Sequence, residues 1–204
     1  MDLMVQVPAN KAVVVLRKGE VRKVVSGGTV FVNPLTETYT YIPLYVNTLD
    51  LNLRDVESSP EHKRAPFNIK MVTQVKVSSH PEALNANAQR LIGMTVEDIN
   101  RAALGVLEDL LRRYAKYRTP IEISRNREET ARILMSWAND ELWKQGIEVR
   151  SLVIKEMEDE NGYFDTIYLT SVDEWLWATY DNGRLIPERK EELRRRVRAR
   201  RGAQ

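Results

Sequence analysis

Two histidines, one acidic run and one arginine-rich stretch are the places where this 204-residue sequence could do chemistry. His62 and His80 are the only histidines. They lie far apart in the chain, and no cysteine is present to complete a zinc set with them. His62 falls in a polar loop and reads as a solvated side chain. His80 precedes Pro81 and reads as a capping or surface residue at a helix start, not as a general base. The acidic run "EMEDENG" invites a test as a calcium loop. Placing Gly162 at the sharp turn puts Met157 in the first ligand position and Tyr168 in the last. Neither supplies a carboxylate, so a calcium hand is excluded. "SGGT" is too short to cradle a phosphate and lies between strand-like runs. Without cysteine there is no thiol nucleophile and no disulfide framework. No catalytic constellation emerges, and no cofactor and no metal are expected.

The arginine-rich stretch is different. "RRRVRARRGAQ" holds six arginines in eleven residues: Arg194, Arg195, Arg196, Arg198, Arg200 and Arg201. From Arg184 onward there are nine basic and three acidic residues, a balance of +6, against 22 and 26, or −4, in the remainder. The positive charge is therefore local to the end of an acidic body. Three uses fit such a tail: an anionic membrane surface, the phosphates of a nucleic acid, or a solvated end. Trp175 and Trp177 lie upstream of it, with Tyr180. They suit either a small satellite core or an aromatic belt at a lipid interface. Helix formation over "PERKEELRRRVRARR" would leave only Leu193 and Val197 as an apolar stripe, so adsorption would be by charge more than by insertion. An acidic body is a poor footprint for nucleic acid, which favours the membrane surface. The candidate membrane or anion contacts are thus Trp175, Trp177 and the six arginines.

Positioning these residues requires a folded body, and the patterns ahead of them supply one. "KAVVVLRKGEVRKVV" gives two β-branched runs around Lys18-Gly19, a hairpin signal. Gly27-Gly28 marks a turn and Pro34 a stop. "YTYIPLYV" is strand-like, with Pro43 pointing to an edge or a bulge. In "NTLDLNLR", Leu49, Leu51 and Leu53 alternate with Thr48, Asp50, Asn52 and Arg54. "NIKMVTQVKV" repeats the alternation, and the two runs should pair across a long polar loop. Helices are predicted from Pro81 to Gly93, from Thr95 with Asp98 completing a box-like start, and from near Ser124 to Gly146. Pro120 is read as the end of the second. Leu107, Leu110 and Leu134 should share a buried core with the leucines of "NTLDLNLR" and with Ile69, Met71 and Val75. "IEVRSLVI" returns to strand. The expected fold class is α+β, with a largely antiparallel sheet in the first third packed with about three helices and a returning strand. The expected division is a domain over 1–165 and an aromatic, basic segment over 166–204.

Taken in order, several of these segments resemble the SPFH (band 7) family of stomatins, prohibitins and flotillins. The opening "VPANKAVVVLRKGEVRKVVSGGTVFVNPLTETYTYIPL" is similar to the family's entry, with its Gly-rich turn and F-x-x-P. "TLDLNL" resembles its central strand, and "SSHPEALNANAQRLIGMTVEDI" the segment that starts its helices. "TPIEISRNREETARILMSWANDELWKQGIEVRSLVIKEMED" carries I-x-x-x-R and then G-I-x-V leading into the last strand. "DENGYFD" is similar to the end of the flotillin type of domain. The resemblance covers roughly residues 5 to 165.

It implies a non-catalytic scaffold that associates with itself and organises or regulates membrane-associated partners. A homo-oligomer is expected, with an anionic membrane surface or a membrane protein as partner. The alternatives are a nucleic-acid-associated protein using the arginine tail, or a shell or ring component. The loop Asp55–Pro66 is longer and more charged than the family pattern. An amino-terminal anchor and a heptad coiled coil, usual in the family, are not expected here. No run approaches the roughly 18–20 apolar residues of a spanning helix, and no secretory signal is read. The expected location is cytoplasmic and peripheral on a membrane.

Overall fold

A computed structural model gives the fold and describes residues 3–58, 66–158, 164, 180–181 and 184–202. Seven strands come first: β1 (Leu3–Val7), β2 (Lys11–Arg17), β3 (Glu20–Val25), β4 (Gly28–Val32), β5 (Glu37–Pro43), β6 (Asn47–Val56) and β7 (Phe67–Val77). Four helices follow: α1 (Pro81–Leu91), α2 (Val96–Ala115), α3 (Pro120–Arg125) and α4 (Arg127–Leu142). A single 3-10 turn, Trp143–Gln145, leads into β8 (Ile147–Glu158). The two-residue strands β9 (Tyr180–Asp181) and β10 (Arg184–Leu185) pair with each other, and α5 runs over Pro187–Gly202. This is the α+β class read from the sequence. The chain divides into two compact units: Met1–Leu51 with Val72–Leu110 and Ala131–Val153, and Asn52–Met71 with Leu111–Thr130 and Ile154–Gln204.

Lys18 and Gly19 both take positive φ, 56° and 85°, so a two-residue turn closes the β2–β3 hairpin with the twist that such strands favour. Pairing slips between Val15 and Leu16, which leaves Arg22 as an extra residue in β3. A bulge re-aims its side chain, and Arg22 forms an ion pair with the buried Glu37 of β5. The Glu37 carboxylate also accepts the Asn33 amide proton at 3.0 Å. Glu37 is therefore a charge that is buried but paired and hydrogen-bonded.

The first sheet has the order β3-β2-β5. Ala12, Val13, Val14 and Val15 of its central strand are all buried, so both faces of β2 are covered. On one face Val13 and Val15 join Val5 and Val7 of β1 and Val30 and Val32 of β4 in a single valine cluster. β1 and β4 form their own antiparallel ribbon, with Val5 opposite Val30. β1 was unassigned in the sequence reading, because its partner lies more than twenty residues away. Pro43 ends β5, an outer strand, as its missing donor requires.

The second sheet has the order β6-β7-β8. Its period-two pattern is clean in β7, where Phe67, Ile69, Met71, Thr73, Val75 and Val77 are buried. Thr73, the polar member of that row, donates its hydroxyl to the Ser151 carbonyl at 2.9 Å. In β6, Leu51 and Leu53 are buried and Leu49 is half-buried. The alternation slips at Asp55, whose φ is 50°, and Val56 is buried next. The Asp55 amide donates to Asn68 Oδ1 at 3.2 Å, within the second unit.

Thr95 and Asp98 cap α2 reciprocally: the Thr95 amide donates to Asp98 Oδ2 at 3.0 Å and the Asp98 amide to Thr95 Oγ1 at 3.2 Å. The buried stripe of α2 includes Ile99, Ala103, Leu107, Leu110 and Leu111. α2 ends at Ala115, short of Pro120. Pro120 instead opens α3, where Thr119 and Glu122 make a second capping box. The stretch read as one helix from Ser124 is thus α3 followed by α4, whose Ala131, Leu134, Ala138 and Leu142 are buried. Gly146 stops the 3-10 turn that follows α4, with φ 74°. A Cβ there would lie 2.8 Å from Asn87 Cβ and 3.0 Å from Leu91 Cδ1. Only glycine tolerates both conditions.

Candidate functional site

Of the residues that suggested chemistry, His80 occupies the position before α1. Its side chain makes no cap hydrogen bond; its ring packs at 5.3 Å from that of Trp143, and the residue is exposed. This fits a surface residue. His62 and residues 159–163 of the acidic run lie outside the described residues. Among the described residues no group of three or more His, Asp or Glu side chains gathers as a metal site would.

The tail residues divide. Trp175 and Trp177 lie outside the described residues. Arg194, Arg195, Arg196, Arg198, Arg200 and Arg201 fall on α5. Arg195 and Arg196 are exposed, and Arg196 holds Glu192 one turn earlier at 2.6 Å. A helix with acidic residues in its first turns and arginines after them complements its own dipole.

A different surface stands out on the β1–β4 ribbon. The face of the ribbon that carries Val5, Val7, Val30 and Val32 is buried, so its opposite face must look outward. On that outward face Met4 lies directly across from Phe31, and the two are 67% and 62% exposed. Leu3, at the same end, is 46% exposed. Just beyond β4 the chain turns over Asn33–Thr36: the Asn33 carbonyl accepts the Thr36 amide at 3.1 Å, and Asn33 Oδ1 accepts the Leu35 amide at 3.0 Å. This side-chain-closed turn holds Leu35 out at 89% exposure. Met4 and Phe31 on the outward face and Leu35 in the adjoining turn are therefore exposed at one end of the ribbon, while Leu3, opposite the buried Val32, belongs to the other face. Neither strand of the ribbon contains a charged residue. Single exposed apolar residues are ordinary, but a contiguous group marks an interaction surface.

The sequence reading missed this group. A signal existed: Leu3 and Met4 are adjacent in a strand, so one of them faces outward, and Phe31 is out of phase with Val30 and Val32.

Paired charges line the second sheet. In the second unit Lys70 of β7 donates to Glu156 Oε2 of β8 at 2.6 Å and stands 3.9 Å from Glu158. This hydrogen bond and the two carboxylates raise the Lys70 pKa, and the same bond lowers that of Glu156. In the first unit Lys76 and Arg150 both stand near Glu148, at 3.3 and 3.5 Å, while the buried Ser78 donates its hydroxyl to it at 2.9 Å.

Against known proteins, the profile of the SPFH domain / Band 7 family matches residues 5–169. The chain belongs to this family. It is similar to flotillin-1 of Homo sapiens, with 31% identity over 144 residues. It is also similar to flotillin-1 of Carassius auratus, with 29% identity over 144 residues. In both cases the match covers 70% of this chain and 33% of the relative. The chain thus spans about a third of the length of the curated relatives it matches. Among the described residues no helix is long and apolar enough to cross a membrane.

Proposed function

We propose that this SPFH domain is a non-catalytic scaffold that associates with itself, lies peripherally on a membrane surface and organises membrane-associated partners there. Family membership supports a membrane-associated scaffold in general terms. The observation that carries the reading is the outward face of the β1–β4 ribbon, where Met4 and Phe31 are exposed across from each other and Leu35 is exposed in the adjoining turn.

Magnitudes decide what kind of contact this would be. Fully burying one such side chain contributes about 1.5–3 kcal/mol, and these three are only partly exposed, so insertion contributes roughly 3–7 kcal/mol before ordering costs. That is weak and reversible, and stable attachment takes a second signal. Self-association supplies one, because several weak contacts on one assembly act together. The arginines of α5, with Trp175 and Trp177, are a further candidate: each arginine near an anionic surface adds about 1 kcal/mol, screened by salt. In this division residues 1–165 form the scaffold domain and 166–204 add charge-driven docking.

The test is sedimentation of the protein with neutral and with anionic vesicles at low and high salt, beside retention on duplex DNA. Binding to vesicles that persists in high salt supports the reading. Absence of vesicle binding, or tight salt-resistant DNA binding in its place, refutes it.

A further inference from the structure

The two three-stranded sheets have four outer strands, β3, β5, β6 and β8. An outer strand presents unpaired N–H and C=O groups, and proteins blunt this hazard with exposed charges. Three of the four do so. β3 exposes Glu20, Arg22 and Lys23; β6 exposes Asp50, Arg54 and Asp55; β8 exposes Arg150, Lys155, Glu156 and Glu158. β5 is the exception. Its one charged residue, Glu37, is buried and paired with Arg22. From Thr38 to Pro43 it carries none, and Tyr39 and Tyr41 stand out at 39% and 40% exposure. Among the described residues β5 has β2 as its only strand neighbour.

We propose that the open edge of β5 pairs with the same edge of a second copy of this chain. The inference rests on the self-association proposed above and names its contact. Both ends of the strand limit the pairing. The Glu37 amide already donates to the Asn33 carbonyl at 2.8 Å, and Pro43 offers no donor. The stretch that remains, Thr38–Ile42, is centred on Thr40. A two-fold axis at Thr40 sets two antiparallel strands edge to edge, with Tyr39 opposite Tyr41 of the second copy and Thr40 opposite itself. Tyr39 and Tyr41 already meet edge to face at 5.8 Å. Because they pair across β2 with Val15 and Val13, they share one face of the sheet. Pairing would join two such pairs into a row of four rings, an arrangement that cross-strand aromatics favour. A second copy is the fitting occupant because the uncharged stretch Thr38–Ile42 meets its own image without like-charge repulsion along the edge, the nearby Lys11 ammonium being held over the Tyr41 ring at 5.2 Å, and the charged edges of β3, β6 and β8 cannot do so as cheaply.

The experiment is sedimentation velocity of the full chain over a range of concentrations, with Thr40→Lys, Thr40→Glu and their equimolar mixture. A circular dichroism spectrum of each variant checks folding. Thr40→Lys and Thr40→Glu each bring two like charges face to face and should weaken association about tenfold or more. The mixture sets lysine against glutamate and should restore it. Tyr39→Ser with Tyr41→Ser adds no charge and should weaken association about threefold, which keeps the test open should Thr40→Lys fail to fold. A wild-type protein that is monomeric throughout overturns self-association and the edge with it. Association that none of the variants changes overturns the edge alone. Folded single variants that stay apart when mixed overturn the two-fold pairing at Thr40.

Discussion

The surfaces of the two sheet regions differ: both expose charge, but the first also exposes a set of large apolar side chains. Around β1–β5 the exposed side chains include Leu3, Met4, Phe31, Leu35, Tyr39 and Tyr41. On β6–β8 they include Asp50, Arg54, Lys70, Arg150, Glu156 and Glu158, with Val153 a large apolar one. Several of the latter are tied to one another, as Lys70 is to Glu156. Charged side chains that satisfy each other beside water need nothing further. Uncharged, aromatic and aliphatic side chains at a sheet edge gain when something covers them. The difference teaches where partners are to be sought: on the first sheet and its ribbon, and not on the second.

That contrast can be broken in four places, taken from the largest effect to the smallest. Met4→Glu with Phe31→Glu places two charges on the ribbon's outward face. Vesicle binding should fall about a hundredfold, from the loss of roughly 3 kcal/mol of burial, while thermal stability is unchanged because both residues are exposed. In the water-facing region the large effects should be on folding instead. Gly146→Ala forces a positive φ on a side chain and drives its Cβ into Asn87. Chemical denaturation should register a loss of about 2 kcal/mol. Removing residues 194–204 takes away six arginines. Binding to anionic vesicles should drop at least fivefold at low salt, about the contribution of a single arginine in contact, and not at high salt, and binding to neutral vesicles should stay as it was.

The smallest effect is in the exposed pairs. Lys70→Gln should shift the unfolding midpoint only slightly, since Lys70 and Glu156 are both half in water. The signs of its pH dependence are fixed. Asp98 and Glu156 have lowered pKa values, through hydrogen bonds from Thr95 and from Lys70 respectively. Their small contribution is present above the ordinary carboxylate range and fades as pH falls through their folded values. The Lys70 pKa is raised. Its contribution is present below the ordinary lysine range and fades as pH rises through the folded value. Thermal melts in a pH series check both.

Much of the fold was legible because its signals are local. Lys18-Gly19 needs positive φ, Thr95 and Asp98 sit at capping distance, and Gly146 closes a helix. The alternation in β7 shows which face is buried before any partner is known. What escaped depends on distant partners. β1 is five residues whose register is set by β4. Arg22 reads as an ordinary strand residue until the bulge turns it toward Glu37. α3 was hidden by a proline that starts a helix as readily as it ends one, although Thr119 and Glu122 carried the start signal. The ribbon end was hard to see for the same reason: Met4 and Phe31 become one surface only once two strands far apart in sequence lie side by side. The arginines were obvious from composition, yet composition alone does not say what they touch.

The central claim is that the ribbon end, and not α5, enters the membrane. The chain has no cysteine, so a single introduced thiol can be labelled cleanly. An environment-sensitive fluorophore is placed at Leu35→Cys, and in separate proteins at Arg150→Cys and Ala199→Cys. Anionic vesicles are added, with and without quencher-bearing lipid tails. A blue shift and strong quenching are expected at position 35, little change at 150, and at most a small shift without tail quenching at 199. No shift at position 35 on vesicles that sediment with the protein, or deep quenching at 199 instead, would contradict that claim.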